Sequence, residues 1–273
     1  MLISPADYQR FKNILEKQSG ILLGDNKQYL VVSRLSNVLA EKGLHSFANL
    51  LDIISNPTGS SFLKQVVDRM TTNETLWFRD RYPFDYLKSN LVPEIKKKSS
   101  NFRVWCAACS TGQEPYSVAM KLDEMGALNN AELIATDLSE RVLDKAREGI
   151  YQQIELNRGM PPANLKRFLD PVTSSAADNG DWQVKPLLRN KIRFQTLNLL
   201  NTPYTLGKFD IIFCRNVLIY FSSDNKTKVI NGLIDNLKPG GYLFIGASEA
   251  LTKESHKMKM VRCNPGLVYQ KEA

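Results

Sequence analysis

The sequence predicts an α/β chain: a doubly wound parallel sheet, preceded by a helical domain and interrupted by a small inserted antiparallel β lobe. Three observations predict it. Apolar residues recur at helical spacing as far as about residue 70; beyond it strand-like runs alternate with amphipathic stretches; and one long segment rich in Pro, Asn and Asp breaks that alternation. At 273 residues and 43% hydrophobic, the chain can bury the core of one large domain or two unequal ones. We expect a helical domain over residues 1–75 and an α/β domain over 76–273, with the lobe at about 157–194.

In the first region the apolar sets are Tyr8, Phe11, Ile14 and Leu15, then Tyr29, Leu30, Leu35, Val38 and Leu39, then Phe47, Leu50, Leu51 and Ile54, then Phe62, Leu63, Val66 and Val67. Breaks fall at Gly20, Gly24, Gly43 and "NPTG". After "TTNETLWFRDRYPF" the strands are "FRVWCAAC", "ELIATD", "IRFQTLN", "FDIIFCRN" and "GYLFIGAS". "LKPGGYLFIGASE" reads as a helix end, a tight turn and a strand, and "MVRCNPGLVYQK" as a last pair of strands around an Asn-Pro-Gly turn.

The start, "MLISPADYQRFKN", lacks the apolar core of a secretory signal, and no apolar run reaches the roughly 18 residues of a membrane helix. The expectation is a cytoplasmic protein with no direct membrane insertion. Cys106 and Cys109 form a C-x-x-C, but Cys214, Cys263, His45 and His256 stand far apart, so small buried cysteines are expected rather than a metal or redox site. The net charge is +8, and residues 1–75 hold 8 basic against 7 acidic side chains. Part of the remaining excess is Arg158, Lys166, Arg167, Lys185, Arg189, Lys191 and Arg193, set against Asp170, Asp178 and Asp181. A solvated face and a docking surface for an acidic partner both account for it.

Open α/β sheets bind ligands at the carboxyl ends of their strands. After the first strand stand Ser110, Thr111, Gly112, Gln113 and Glu114; after the second, Asp137, 25 positions beyond Gly112; after the third, Asn198; after the fourth, "CRNVLIYF". A pyrophosphate-cradling turn needs several glycines, and this turn has one, followed by a carboxylate. That suits a nucleoside without phosphates and with a positive charge, as in S-adenosyl-L-methionine. Asp137 is spaced to accept from ribose hydroxyls, and the Asn198 amide can both donate to and accept from an adenine edge.

"CAACSTGQEPYSVAM", "IATDLS", "YQQIELNRGMP", "FQTLNLL", "FDIIFCRNVLIYF" and "LKPGGYLFIGASE", preceded by "TTNETLWFRD", closely resemble the CheR chemotaxis-receptor methyltransferases over nearly the whole chain. The resemblance implies a Rossmann-like methyltransferase sheet and an S-adenosyl-L-methionine-dependent protein-glutamate O-methyltransferase. Its substrates would be glutamates on helical cytoplasmic signalling domains of chemotaxis receptors, its products glutamate methyl esters and S-adenosyl-L-homocysteine. In some members the inserted lobe grips a receptor C-terminal tail peptide; the sequence leaves that open here. Carried over, it puts Asn73, Thr75 and Arg79 at the cofactor, with Arg79 also facing the reaction centre. Glu114 would hold the amino end, Asp137 the ribose, Asn198 and Leu199 the adenine, and Arg215 with Asn216 the cofactor wall, with Tyr220 near the transferred methyl. Surface pairing of Arg79 with Asp80 or Asp85, and a core position for Tyr220, are the alternatives. Trp77 stands where the family pattern has Phe, and Gln113 where it has Glu.

An ionised glutamate is already a nucleophile at neutral pH, so the absence of a histidine or cysteine from these motifs agrees with the reading. Two rivals remain. A nucleic-acid N-methyltransferase would carry an Asn/Asp-Pro-Pro-aromatic element where this chain has "RNVLIY", so no nucleic-acid partner is expected. A non-catalytic cofactor-binding adaptor would label no receptor. Along "NKQYLVVSRLSNVLAEKG", Lys27, Arg34 and Lys42 are candidates for a receptor-facing stripe.

Overall fold

The computed structural model describes residues 2–172, 180–251 and 257–272. His256 and Asp178 therefore lie outside the described residues. Contacts divide the chain into one unit of residues 1–72 with 219–226 and another of residues 73–218 with 227–273.

The first unit is built on four helices, α1 (Pro5–Ser19), α2 (Gln28–Glu41), α3 (Phe47–Ile54) and α4 (Ser60–Met70). Ser4 caps α1 by accepting the Asp7 N–H, Pro5 opens the first turn, and Gly20 ends the helix at φ +79°. Ser46 caps α3 in the same way. The buried stripe of α2 is Val31, Leu35, Val38 and Leu39, an i, i+4, i+7, i+8 pattern. Tyr29, expected inside, is 64% exposed and Val31 takes the core position instead. The Arg34 guanidinium, a candidate for the receptor-facing stripe, is half-buried. It donates to the carbonyls of Met70 and Thr71 and to the Thr72 hydroxyl, and so fastens the end of α4 to α2.

The second unit runs α5 (Tyr82–Tyr86), a π turn at Leu87–Leu91, α6 (Val92–Lys98), β1 (Phe102–Ala107), α7 (Gln113–Glu124), β2 (Ala131–Asp137) and α8 (Glu140–Glu148). The lobe follows as β3 (Ile150–Gln152), α9 (Gln153–Leu156), α10 (Pro162–Phe168), β4 (Leu169–Pro171), β5 (Asp181–Val184) and α11 (Pro186–Arg189). Then come β6 (Ile192–Thr196), β7 (Phe209–Cys214), α12 (Ser223–Asp235), β8 (Leu237–Ile245), β9 (Met258–Cys263) and β10 (Gly266–Lys271). The large sheet has the order β6-β2-β1-β7-β8-β10-β9, with β10 antiparallel to both its neighbours and the rest parallel. The direction of winding reverses between β1 and β7, so the sheet is doubly wound and its switch point lies there.

Two boundaries differ from the sequence reading. The small sheet, β3-β5-β4, is antiparallel as expected but begins at Ile150, ahead of residue 157, because β3 pairs with β5 from across the insertion. "LKPGG" is not a helix end: α12 stops at Asp235 and β8 starts at Leu237, with a register shift where β7 and β8 pair. Of the basic residues around the lobe, Arg158, Arg167, Lys185 and Arg193 pair with Glu74, Asp123, Asp170 and Glu132. Four of those charges are thus engaged in partly exposed ion pairs within the chain. Gly159, at φ +108°, is required by packing: a Cβ there would stand 2.2 Å from the Trp77 carbonyl oxygen.

Replacing Arg34 with alanine removes three charged hydrogen bonds from the α2–α4 contact. We expect a loss of about 1.5–3 kcal/mol in urea unfolding followed by circular dichroism, whereas Lys42→Ala should leave the transition within about 0.5 kcal/mol.

Candidate active site

The switch point brings together the turn after β1, the end of β2 and the end of β7. At its centre is Arg215, the residue that follows β7, with a side chain 2% exposed. Its Nη1 donates to Glu114 Oε2 at 2.7 Å; its Nη2 donates to Asp80 Oδ2 at 2.7 Å and to the Arg79 carbonyl at 2.8 Å. One guanidinium thus ties the end of β7 to the first turn of α7 and to the segment before α5. Burial pushes the Glu114 carboxyl above the usual carboxylate range, against the opposing pull of the Arg215 and Arg79 charges.

Asp137 closes β2 and is 7% exposed. Its Oδ2 accepts the Ser110 N–H at 2.8 Å and its Oδ1 the Ser139 N–H at 3.0 Å, so one carboxylate holds the loops after β1 and β2. Ser110 Oγ donates to the Asn73 carbonyl at 2.7 Å. The Asp137 carbonyl accepts the Leu197 N–H, which brings Asn198 and Leu199 in beside it. Asn198 Oδ1 accepts the Leu200 N–H and the Leu199 carbonyl accepts the Tyr204 hydroxyl, so both residues are set by their own loop. Asn216 N–H donates at 2.9 Å to Glu249, whose same oxygen accepts the Gly246 N–H. Asn216 Oδ1 is buried without a partner among the described residues.

Backbone strain gathers here. Among the described residues the non-glycine positions with positive φ are Phe78, Asp80, Arg81, Ala108, Ser110 and Asn216, all in these segments. Ser117 helps hold the first group, accepting the Phe78 N–H at 3.1 Å while donating to the Gln113 carbonyl. Trp77 is buried edge-on to Tyr151 at 4.9 Å, and Gln113 accepts the Thr111 hydroxyl. The Gln113 amide is thus held by a hydrogen bond, whereas the Trp77 ring is packed but its Nε1 is buried without a partner among the described residues.

Of the residues singled out in the sequence, Asn73, Arg79, Glu114, Asp137, Asn198, Leu199, Arg215 and Asn216 fall within this connected set. Thr75 lies half-buried in the irregular segment ahead of it. Tyr220 counts with the helical unit, where its carbonyl accepts the Leu22 N–H beside an Ile21–Phe221 bridge. The Arg79 side chain does not pair with Asp80 or Asp85; among the described residues its guanidinium has no hydrogen-bonded partner. Sequence reasoning missed Asp80, Ser117 and Glu249. The last stands in the quoted "GASE", but nothing in that string shows that it reaches Asn216.

The family CheR methyltransferase, SAM binding domain, matches residues 73–267, and its all-alpha domain matches residues 6–71. The chain belongs to the CheR methyltransferase family. It is 46% identical to the chemotaxis protein methyltransferase Cher2 of Pseudomonas putida, with 97% of each chain covered. It is 45% identical to chemotaxis protein methyltransferase 1 of Pseudomonas aeruginosa over 99% of each. To the chemotaxis protein methyltransferase of Escherichia coli it is 36% identical, over 91% of this chain and 86% of the other. This chain is therefore an S-adenosylmethionine-dependent methyltransferase.

The donor set suits that cofactor. In the turn after β1, the Cys109 N–H bonds the Thr136 carbonyl, Ser110 N–H bonds Asp137, and Gly112 N–H bonds the Cys109 carbonyl. These N–H groups are turned inward and form no nest for a phosphate. The same strand ends carry the carboxylates of Glu114 and Asp137, acceptors of the kind that hydroxyls and a cationic amino group require. No group of His, Cys, Asp and Glu that could hold a metal ion occurs among the described residues.

Glu114→Ala should leave Arg215 paired with Asp80 alone and cost about 1.5–3 kcal/mol in urea unfolding through the lost charged hydrogen bond. Glu114→Gln, whose amide oxygen still accepts from Arg215, should cost less than half of that.

Proposed function

We propose that this methyltransferase transfers a methyl group from S-adenosyl-L-methionine to glutamate side-chain carboxylates of methyl-accepting chemotaxis receptors in the cytoplasm. The products are glutamate methyl esters and S-adenosyl-L-homocysteine. One observation carries the substrate side of this reading. Glu114, which the Arg79 charge reaches, and Asp80 are both bonded to Arg215, and among the described residues the Arg79 guanidinium makes no hydrogen bond or ion pair, which leaves it able to bond a carboxylate that arrives from outside. No helix among the described residues is long and apolar enough to cross a membrane, in keeping with an enzyme that meets the soluble part of its receptor.

When bound, the cofactor supplies an electrophilic methyl group on a sulfonium. The chain's residues do the rest. Glu114 meets the amino end, Asp137 the ribose, Asn198 and Leu199 the adenine, and Arg215, Asn216, Asn73 and Thr75 complete the wall. Arg79 orients the incoming carboxylate, which needs no base because an ordinary glutamate is ionised well below pH 7. Tyr220 is assigned to the same orienting task from its place in "RNVLIYF". Binding the carboxylate too tightly would stabilise the ground state. Arg79 stands beside two carboxylates that share the one Arg215 guanidinium, and their residual negative charge moderates its pull on an incoming carboxylate.

The test is transfer from radiolabelled cofactor to receptor cytoplasmic fragments, with and without their C-terminal tails, followed by base treatment. Label released by base identifies a carboxyl ester; label on nucleic acid, or none on receptor, overturns the proposal. In the same assay kcat should stay nearly flat from about pH 6 to pH 9, and Tyr220→Phe should lower it roughly tenfold to a hundredfold without changing that flatness. A tenfold rise in kcat per pH unit that Tyr220→Phe abolishes would make the tyrosine a base.

Cofactor affinity should behave differently. Because the Glu114 pKa is raised, a proton competes for this carboxylate as pH falls from neutral toward that pKa, and affinity measured by calorimetry should drop over that interval. Glu114→Gln should weaken binding at neutral pH and flatten the drop. Asp137→Ala should weaken binding roughly tenfold or more, and since the same carboxylate holds two backbone N–H groups it should also lower stability.

A further inference from the structure

Beside the Arg215 cluster, in the same unit, lies a cleft of about 590 Å³ between the start of α5 and the β9–β10 hairpin. Of the cluster around Arg215, its lining includes Asp80 and none of Glu114, Asp137, Asn198, Leu199 or Asn216. One wall residue is Asp80, whose carboxylate is already bonded to Arg215. Tyr82 and Tyr86 of α5 and Pro265 of the hairpin turn supply an aromatic and aliphatic surface. Two arginines line it from separate elements: Arg81, two residues beyond Arg79, and Arg262 on β9.

Both arginines are exposed, and among the described residues neither makes an ion pair. That sets them apart from Arg158, Arg167 and Arg193 of the same unit, each of which pairs with a carboxylate. Arg81 is also held at φ +53° at the end of the strained 78–81 turn, whose position Arg215 and Ser117 fix. The only uncommitted acidic side chain in the cleft is Asp85. Asp80 is drawn to Arg215, which it shares with Glu114, so the two arginines and two aspartates of the lining balance formally; what the cleft offers is two guanidiniums without ion pairs, on separate elements, next to the segment that bears Arg79.

We propose that this cleft is a second substrate-binding site, in which Arg81 and Arg262 engage acidic residues of the polypeptide that flanks the glutamate to be methylated. The inference rests on the proposed function. A free small anion is a poorer occupant. Its sites converge buried donors on one point, whereas here two solvent-exposed guanidiniums on different elements flank a tyrosine-lined groove, an arrangement suited to an extended acidic segment. The cleft would then deliver binding energy remote from the reacting carboxylate and set which glutamates are presented to Arg79.

The experiment compares the wild-type enzyme with Arg262→Glu, Arg81→Gln and the double variant, using a receptor cytoplasmic fragment and labelled cofactor. Circular dichroism melts check the fold, and calorimetry measures cofactor affinity. Each single variant should raise KM for receptor roughly three- to tenfold. The double variant should raise it further, and wild-type KM should climb with ionic strength more steeply than that of the double variant. Cofactor affinity in Arg262→Glu should equal wild type. Receptor labelling with the same KM in all four proteins overturns the cleft alone; the same holds if inorganic phosphate binds there while receptor KM is unmoved. No base-labile label on the receptor from any protein, wild type included, overturns the proposed function and the cleft with it.

Discussion

The candidate site depends on a single buried cation. Arg215 has no solvent to rely on, so its charge is sustained by Glu114, Asp80 and the Arg79 carbonyl, and in turn it fixes where each of them stands. Ion pairs of this kind add little net stability, because desolvation offsets attraction, but they penalise every alternative arrangement that would leave one charge alone. That is how a turn with Phe78, Asp80 and Arg81 in the left-handed region can persist: the strain is local and the restraint is electrostatic.

The same economy governs the neighbouring turns. Asp137 uses both carboxylate oxygens to gather backbone N–H groups from two loops, and Glu249 does so for Asn216 and Gly246 with one. Backbone donors that another nucleotide-binding fold would point at phosphate are spent here on carboxylates and carbonyls of the chain itself. Gly112 is left as a steric requirement and not an anion-binding one: at φ +95° a Cβ would meet Ala146 and the Tyr151 hydroxyl at 3.0 Å. The lobe thus touches the site from below, since Tyr151 opens it in β3 and its hydroxyl donates to the Thr111 carbonyl.

What the sequence made legible was set by periodicity and by local chemistry. The change from 3.6-residue to strand-and-helix texture near residue 70 marks a real change of architecture, and Gly112, Glu114 and Asp137 announce themselves because each stands at a strand end. Partners remote in sequence were not legible. Asp80 meets Arg215 across 135 positions and Arg34 meets the end of α4 across 36, and neither string hints at the other. The sequence shows Arg34 only as a helix-face cation; its bonds to the end of α4 become visible once that helix is placed. The three-residue strand β3 is too short to show alternation and is defined only by its pairing with β5. Asn264 and Pro265, by contrast, marked the last hairpin correctly.

All four cysteines, Cys106, Cys109, Cys214 and Cys263, are free and buried. Burial pushes each thiol upward, Cys263 to about 11 and the other three well beyond the ordinary range. Only the thiolate reacts readily with oxidants and alkylating reagents, so burial slows both reactions at these four positions. A cysteine introduced at a well-exposed position, away from carboxylates, should be labelled by a dye or a crosslinker ahead of the native four.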